Sequence, residues 1–269
     1  MSSDARDILN TALEAARKAG LYLLDNRGKL AAEAIGEKQR NDFVTEVDRT
    51  SEKIIIEHIL SKFPGHGILA EEGGASGGGE FRWIIDPLDG TSNFVHNVPV
   101  FCVSIALKRG DEMIAGVVFD PVRDETFSAV RGGGAHLNGV PIRVNANKDF
   151  SRAFLATGFP HLSKRHLPQF MRSFTDIFYH CAGVRRLGAA ALDLCYTACG
   201  RFDAFWELAL KPWDMAAGSL IVQEAGGMVS DFWGGQTHLE SGFLVAGNPA
   251  IQKRLTEILS IYFEGKRHE

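Results

Sequence analysis

Apolar and polar residues separate along the first part of the chain with helical spacing. From Asp4 to about Asn26, Ile8, Ala12, Ala16, Ala19 and Leu23 recur every three to four positions. Arg6, Glu14, Arg17 and Lys18 fall mostly elsewhere, which predicts an amphipathic helix. A second helix is expected from Asp48, as N-cap, through Ile55, Ile56, Ile59, Leu60 and Phe63 to a stop at Pro64-Gly65. The period then shortens. Apolar runs with turn punctuation at Gly67 to Ala70, Arg82 to Asp86, Phe101 to Lys108, Met113 to Phe119, Glu125 to Val130 and Ala135 to Asn138 predict consecutive strands and an antiparallel sheet. Beyond Ser151, helical segments near Leu167 to Tyr179, Ala189 to Ala198, Met215 to Ala225 and Pro249 to Phe263 alternate with strands at Ala153 to Ala156, Ala204 to Glu207 and Phe243 to Ala246. This half reads as α/β, so the whole predicts a layered α and β architecture with two sheets. The organisation expected is an N-terminal α+β half, 1–150, and a C-terminal α/β half, 151–269, in one compact unit. The glycine-rich stretch Gly73 to Gly79 is expected to be an exposed loop between strands.

Composition narrows the class without changing this picture. The 269 residues can bury a large core, and 45% hydrophobic with 23% charged residues is ordinary for a globular protein. No apolar run is long enough to span a bilayer, and the acidic start MSSDARDILN does not resemble a signal peptide, so a cytoplasmic, non-membrane protein is expected. Cys102, Cys181, Cys195 and Cys199 contain no CxxC pair, and none of the nine histidines forms HExxH, so zinc has no support. The formal charge of −4 disfavours a broad polyphosphate-binding face and points to small ligands, although clusters such as Lys164-Arg165 and Arg185-Arg186 could make local contacts. Neither Gly73 to Gly79 nor Gly132 to Gly134 gives GxGxxG, and no P-loop lysine motif occurs.

The chemistry concentrates in Trp83-Ile84-Ile85-Asp86-Pro87-Leu88-Asp89-Gly90-Thr91-Ser92-Asn93-Phe94. Asp, Pro and Gly in this order predict a tight turn that aims both carboxylates at one point. As an isolated motif it could equally decorate a surface, but here it leaves a strand-like apolar segment and is partly shielded. Two such charges about 4 Å apart repel by roughly 4 kcal/mol at an effective dielectric of 20, so a counter-charge is required. All-oxygen donors point to magnesium or manganese. An EF-hand is excluded, because D-x-D-x-D-G spacing is absent and the twelfth position holds Asn97. Gly90 lets a ligand approach the backbone, where N–H groups of a starting helical turn could receive phosphate oxygens. Thr91 could orient a water or simply cap a helix.

Together with Pro212-Trp213-Asp214-Met215-Ala216-Ala217-Gly218 and Glu224-Ala225-Gly226-Gly227, this motif resembles the inositol monophosphatase family of magnesium-dependent, lithium-inhibited phosphatases. The resemblance runs from Asn41-Asp42-Phe43-Val44-Thr45-Glu46-Val47-Asp48 to Ala246-Gly247-Asn248-Pro249 and is closest to bacterial members. It implies an αβαβα sandwich, the sugar phosphatase fold, with an antiparallel first sheet and a mixed second one. It implies two or three Mg2+ ions, with Mn2+ as a substitute. Glu71, Asp86 and the Leu88 carbonyl would bind the first ion; Asp86, Asp89 and Asp214 would bind the second. Glu71, Thr91 and Asp48 would serve catalysis, with Thr45 in support. Asp89, Gly90, Thr91, Gly188, Ala190, Glu207 and Asp214 would contact an inositol phosphate. Local readings compete with each role: Asp48 and Asp214 as N-caps, the latter of a helix from Met215, Glu71 as an acidic strand end, Gly188 to Ala191 as close helix packing and Glu207 as a solvated strand end. The resemblance also implies a homodimer. Its other implied readings are a phosphatase for related sugar or nucleotide bisphosphates and a partner of the transcription antitermination machinery.

Overall fold

The computed structural model describes residues 3–29, 35–39, 42–160 and 163–265, and side chains over 5–29, 46–160 and 163–265. Two helices, α1 (Ser3–Asn26) and α2 (Glu46–Lys62), flank an antiparallel pair, β1 (Ile35–Gln39) and β2 (Asp42–Thr45). The expected second helix therefore begins earlier than anticipated. Asp48 is in its first turn, not its N-cap, and is buried.

Eight strands follow: β3 (Gly67–Ala70), β4 (Gly74–Ser76), β5 (Phe81–Asp89), β6 (Cys102–Arg109), β7 (Glu112–Asp120), β8 (Glu125–Val130), β9 (Ala135–Leu137) and β10 (Val140–Ile142), with the short helix α3 (Thr91–Val95) between β5 and β6. They form one sheet in the order β10-β9-β8-β7-β6-β5-β3-β4. It is antiparallel except where β3 runs parallel to β5, so the sheet is mixed. The glycine-rich stretch is not wholly a loop. Its centre forms β4 at the sheet edge, and the Gly73 N–H is held by Glu52 Oε1 at 2.8 Å.

The second sheet follows Ser151, in the order β12-β11-β13-β15-β14, built from β11 (Phe154–Thr157), β12 (Gly183–Arg185), β13 (Ala204–Glu207), β14 (Met228–Ser230) and β15 (Leu244–Gly247). Helices α4 (Leu167–His180), α5 (Ala190–Ala198), α6 (Pro212–Glu224), α7 (His238–Ser241) and α8 (Pro249–Tyr262) complete it.

Strand periodicity sorts these elements into layers, because successive side chains point to opposite faces. On β5, Trp83 and Ile85 pack with Ile8, Ala12, Ala16 and Leu23 of α1 and Ile55 and Ile59 of α2, while Ile84 between them faces α5 and α6. On β13, Phe205 faces α5 and α6, whereas Trp206 packs with Phe170 of α4 and Leu255 and Leu259 of α8. The result is five layers: α1/α2, the eight-stranded sheet, α5/α6, the five-stranded sheet and α4/α8. Helix α6 buries residues all round, from Met215 to Val222, as a helix enclosed between two sheets must.

Candidate active site

The acidic motif is not a turn. Strand β5 continues through Asp86-Pro87-Leu88-Asp89, and its pairing with β6 shifts register between Asp86 and Asp89. Pro87 has no N–H for the ladder, and the Leu88 N–H turns instead to Asp86 Oδ1 at 3.0 Å, so the two intervening residues form a bulge. The Pro87 carbonyl accepts the Ser51 hydroxyl of α2 at 2.8 Å. Both aspartates and Leu88 are thus buried within a sheet.

The parallel register supplies the third acid. Ala70 lies abreast of Ile85, and the Glu71 N–H donates to the Ile85 carbonyl at 3.2 Å, so Glu71 leaves β3 beside Asp86. The fourth comes from the next layer. Asp214 is the third residue of α6, where its Oδ2 accepts the Lys211 N–H at 2.7 Å; Lys211, not Asp214, occupies the N-cap. Ser104, paired with Asp86 across β5 and β6, donates to the Trp213 carbonyl at 3.2 Å and ties that helix start to the sheet.

The four acids lie close enough to act on one another electrostatically. Burial, then repulsion from Glu71, Asp89 and Asp214, drives the Asp86 carboxyl well above the usual carboxylate range. Asp214 is raised likewise by burial, Asp89, Glu71 and Glu207. Asp89 is pushed up to about 6 by burial, although Oδ2 accepts the Ala191 N–H at the start of α5 at 2.7 Å and lies 3.6 Å from the Cys102 thiol. Arg186 opposes the rise. The acids repel without closing: no group of three His, Cys, Asp or Glu side chains among the described residues stands in ready-made ion-binding geometry. Asp86, Asp89 and Asp214 each give an oxygen to a backbone N–H instead. Their chemistry nonetheless suits a hard divalent cation, since buried, mutually repelling carboxylates call for one.

Around the acids, Thr91 Oγ1 lies 3.0 Å from both Asp48 Oδ1 and the Leu88 carbonyl, joining three of the expected residues. Gly90 precedes α3 with φ 93°, in the left-handed region that favours glycine, and a Cβ there would meet the Val100 carbonyl at 2.9 Å. Gly188, φ 87°, lies beside it, its carbonyl 3.3 Å from where that Cβ would stand, and Ala190 opens α5. Glu207 ends β13; burial pushes its carboxyl up to about 8, with Arg186 opposing and Asp89 adding. Its carboxylate is turned inward against Gly158 while the residue as a whole is partly exposed. The side chains of Asp42 and Thr45 lie outside the described residues.

Two further residues join the site that sequence reasoning overlooked. Asn93 Nδ2 lies 2.8 Å from the Val100 carbonyl and 2.9 Å from the Leu187 carbonyl, stitching α3 to the rim. Asp193 is buried on α5 with Oδ1 unpartnered, and is raised well above the usual range by burial, Glu207 and Asp89. A lone acid in the apolar run Ala190-Ala191-Leu192-Asp193-Leu194 was its available signal.

The model of the inositol monophosphatase family matches residues 4–263. The chain belongs to that family. It is 49% identical over 254 residues to the Nus factor SuhB of Pseudomonas aeruginosa, covering 92% of this chain and 94% of that one. Against the Nus factor SuhB of Escherichia coli the identity is 46% over 250 residues, 92% of this chain and 94% of that one. Among solved structures, the extragenic suppressor protein suhB of Bartonella henselae superposes with TM-score 0.92 at 40% identity, covering 96% of this chain and 99% of that one. An IMPase from Thermotoga maritima superposes with TM-score 0.88 at 35% identity, covering 96% and 98%. The family's layered arrangement, with one mixed sheet of eight strands and one of five, is the architecture found here. No helix among the described residues is long and apolar enough to cross a membrane.

Proposed function

We propose that the protein is a magnesium-dependent phosphate monoester hydrolase whose substrate is an inositol monophosphate, releasing inositol and phosphate. The observation that carries this reading is the burial of Asp86 and Asp89 on one strand, which raises both carboxyls, with Glu71 and Asp214 close enough to add to the rise at Asp86. Glu71, Asp86 and the Leu88 carbonyl would hold one ion, and Asp86, Asp89 and Asp214 another, with Asp86 common to both. Manganese, with the same preference for oxygen, would substitute. Bound magnesium would supply an acidified water and a counter-charge for the departing alkoxide.

The chain's own groups do the rest. Glu71 and the Thr91 hydroxyl orient the attacking water, and Asp48 fixes that hydroxyl through its Oδ1. Gly90 and Thr91 leave the backbone open to phosphate oxygens. Gly188, Ala190 and Glu207 meet the alcohol portion, where a carboxyl can pair with ring hydroxyls. Asp89 and Asp214 border both regions. Water is the nucleophile, so no covalent phosphoenzyme is required. The two halves, 1–150 and 151–269, act as one unit because the acids come from both.

A second role is favoured by a separate observation, the name Nus factor carried by relatives at 46% to 49% identity: participation in a cytoplasmic transcription antitermination complex. A homodimer is supported by exposed apolar side chains on α4, including Phe178 at 55% and Tyr179 at 80% exposure. Phosphate release from a panel of inositol monophosphates, fructose 1,6-bisphosphate and nucleotide-derived bisphosphates, with and without Mg2+, tests the hydrolase reading. Mg2+-dependent release strongest with inositol monophosphate is expected. Equal release with EDTA, or none from any ester, would overturn it.

A further inference from the structure

Gly158 follows β11, whose Thr157 lies abreast of Trp206 on the parallel strand β13 and donates its hydroxyl to the Trp206 carbonyl at 2.8 Å. That register sets Gly158 beside Glu207. Abreast residues of parallel strands project to the same face, so any side chain at 158 would enter the space of the Glu207 carboxylate. A Cβ there would overlap Glu207 Cδ, Oε1 and Oε2. Gly158 is buried and does not adopt a positive φ, so no turn conformation explains the glycine. The three atoms nearest to the missing side chain all belong to the Glu207 carboxylate.

The carboxylate seated there faces a defined set of charges. Arg186 acts on it with opposite sign and Asp89 with like sign, and the buried Asp193, with its unpartnered Oδ1, is near enough to feel its charge. We propose that Gly158 is a specificity-determining residue: its bare backbone is the seat that turns the Glu207 carboxylate into the site, where it selects phosphate esters of hydroxyl-rich alcohols over esters of plain ones. The proposal deepens the reading of Glu207 given above and rests on it.

Gly158→Ala displaces the carboxylate without altering its chemistry, and Glu207→Asp, one methylene shorter, restores room. With Mg2+ present, Gly158→Ala should raise KM for inositol 1-phosphate about tenfold, with kcat nearly kept, and leave KM for p-nitrophenyl phosphate within about twofold. Gly158→Ala should add nothing in a Glu207→Ala background, and Gly158→Ala with Glu207→Asp should recover part of the lost selectivity. Equal losses on both esters, or an undiminished effect of Gly158→Ala when Glu207 is already Ala, would overturn the proposal. A crystal structure of Gly158→Ala decides the seat independently of turnover. The Glu207 carboxylate must have moved; an unchanged position sinks the idea. Wild-type protein that hydrolyses neither ester would instead overturn the function proposed above, with the seat still decided by the crystal structure.

Discussion

A buried carboxylate is a costly group, and this protein collects several. Asp89 has two donors on one oxygen, yet burial still outweighs them and its pKa rises to about 6. Asp86 has a single backbone donor and three acidic neighbours, so its proton is held more firmly. The physical meaning is that the site is built for a charge it does not itself provide. Removing that demand at one residue should separate catalysis from folding. Asp86→Asn is expected to reduce Mg2+-dependent phosphate release by about 10^3-fold or more. The melting temperature in EDTA should stay level or rise, because a neutral amide there has no ionised form to bury beside the other acids. Release near the wild-type rate would remove Asp86 from the mechanism.

Local chemistry made the acids legible but misjudged the backbone that carries them. Asp-Pro-x-Asp-Gly has turn composition, and a turn was the natural expectation. The sheet overrode it, since β6 pairs with β5 on both sides of a bulge that absorbs the proline. Asp48 and Asp214 look like N-caps because each precedes a helical pattern. Each actually sits inside the first turn, where an acid also favours the helix dipole. The antiparallel expectation held for most of the first sheet and failed at β3 against β5, a pairing that depends on where the chain returns after the glycine-rich stretch. Gly90 tests whether the exit from this strand is as constrained as it looks. Gly90→Ala forces a positive φ on alanine and a Cβ against the Val100 carbonyl, and should cost about 1–3 kcal/mol in urea unfolding with a matching loss of activity. A variant as stable as wild type would show that the rim can yield.

Over the whole molecule, five layers and two sheets could be anticipated from periodicity and resemblance, whereas Asn93 and Gly158 could not, because their importance lies in contacts between segments far apart in the chain. The same layering predicts the response to pH. Asp89 and Glu207 have folded pKa values raised to about 6 and about 8, from ordinary values of 3.8 and 4.5. A raised carboxyl favours the folded state in its protonated form, so its contribution is complete below the ordinary value and is lost as pH climbs through the raised one. For Asp89 that amounts to about 3 kcal/mol. Metal-free protein should therefore melt progressively lower as pH increases from 4 to 8. Added Mg2+ competes with protons for the same oxygens, so its stabilisation should be greater at pH 8 than at pH 5. Melts in EDTA and in Mg2+ across this range check both signs, and a metal-free protein that strengthens toward pH 8 would contradict them.

The short ladder between β3 and β5 also determines where the gene can change length. Each residue of strand advances about 3.3 Å, so a single insertion between Gly67 and Glu71 would slide the glutamate past Asp86 and reverse the side it faces. Between Gly77 and Glu80, beyond the paired residues of β4, the chain can lengthen or shorten without moving a carboxylate. Indels should accumulate on one side of Glu71 and be purged on the other.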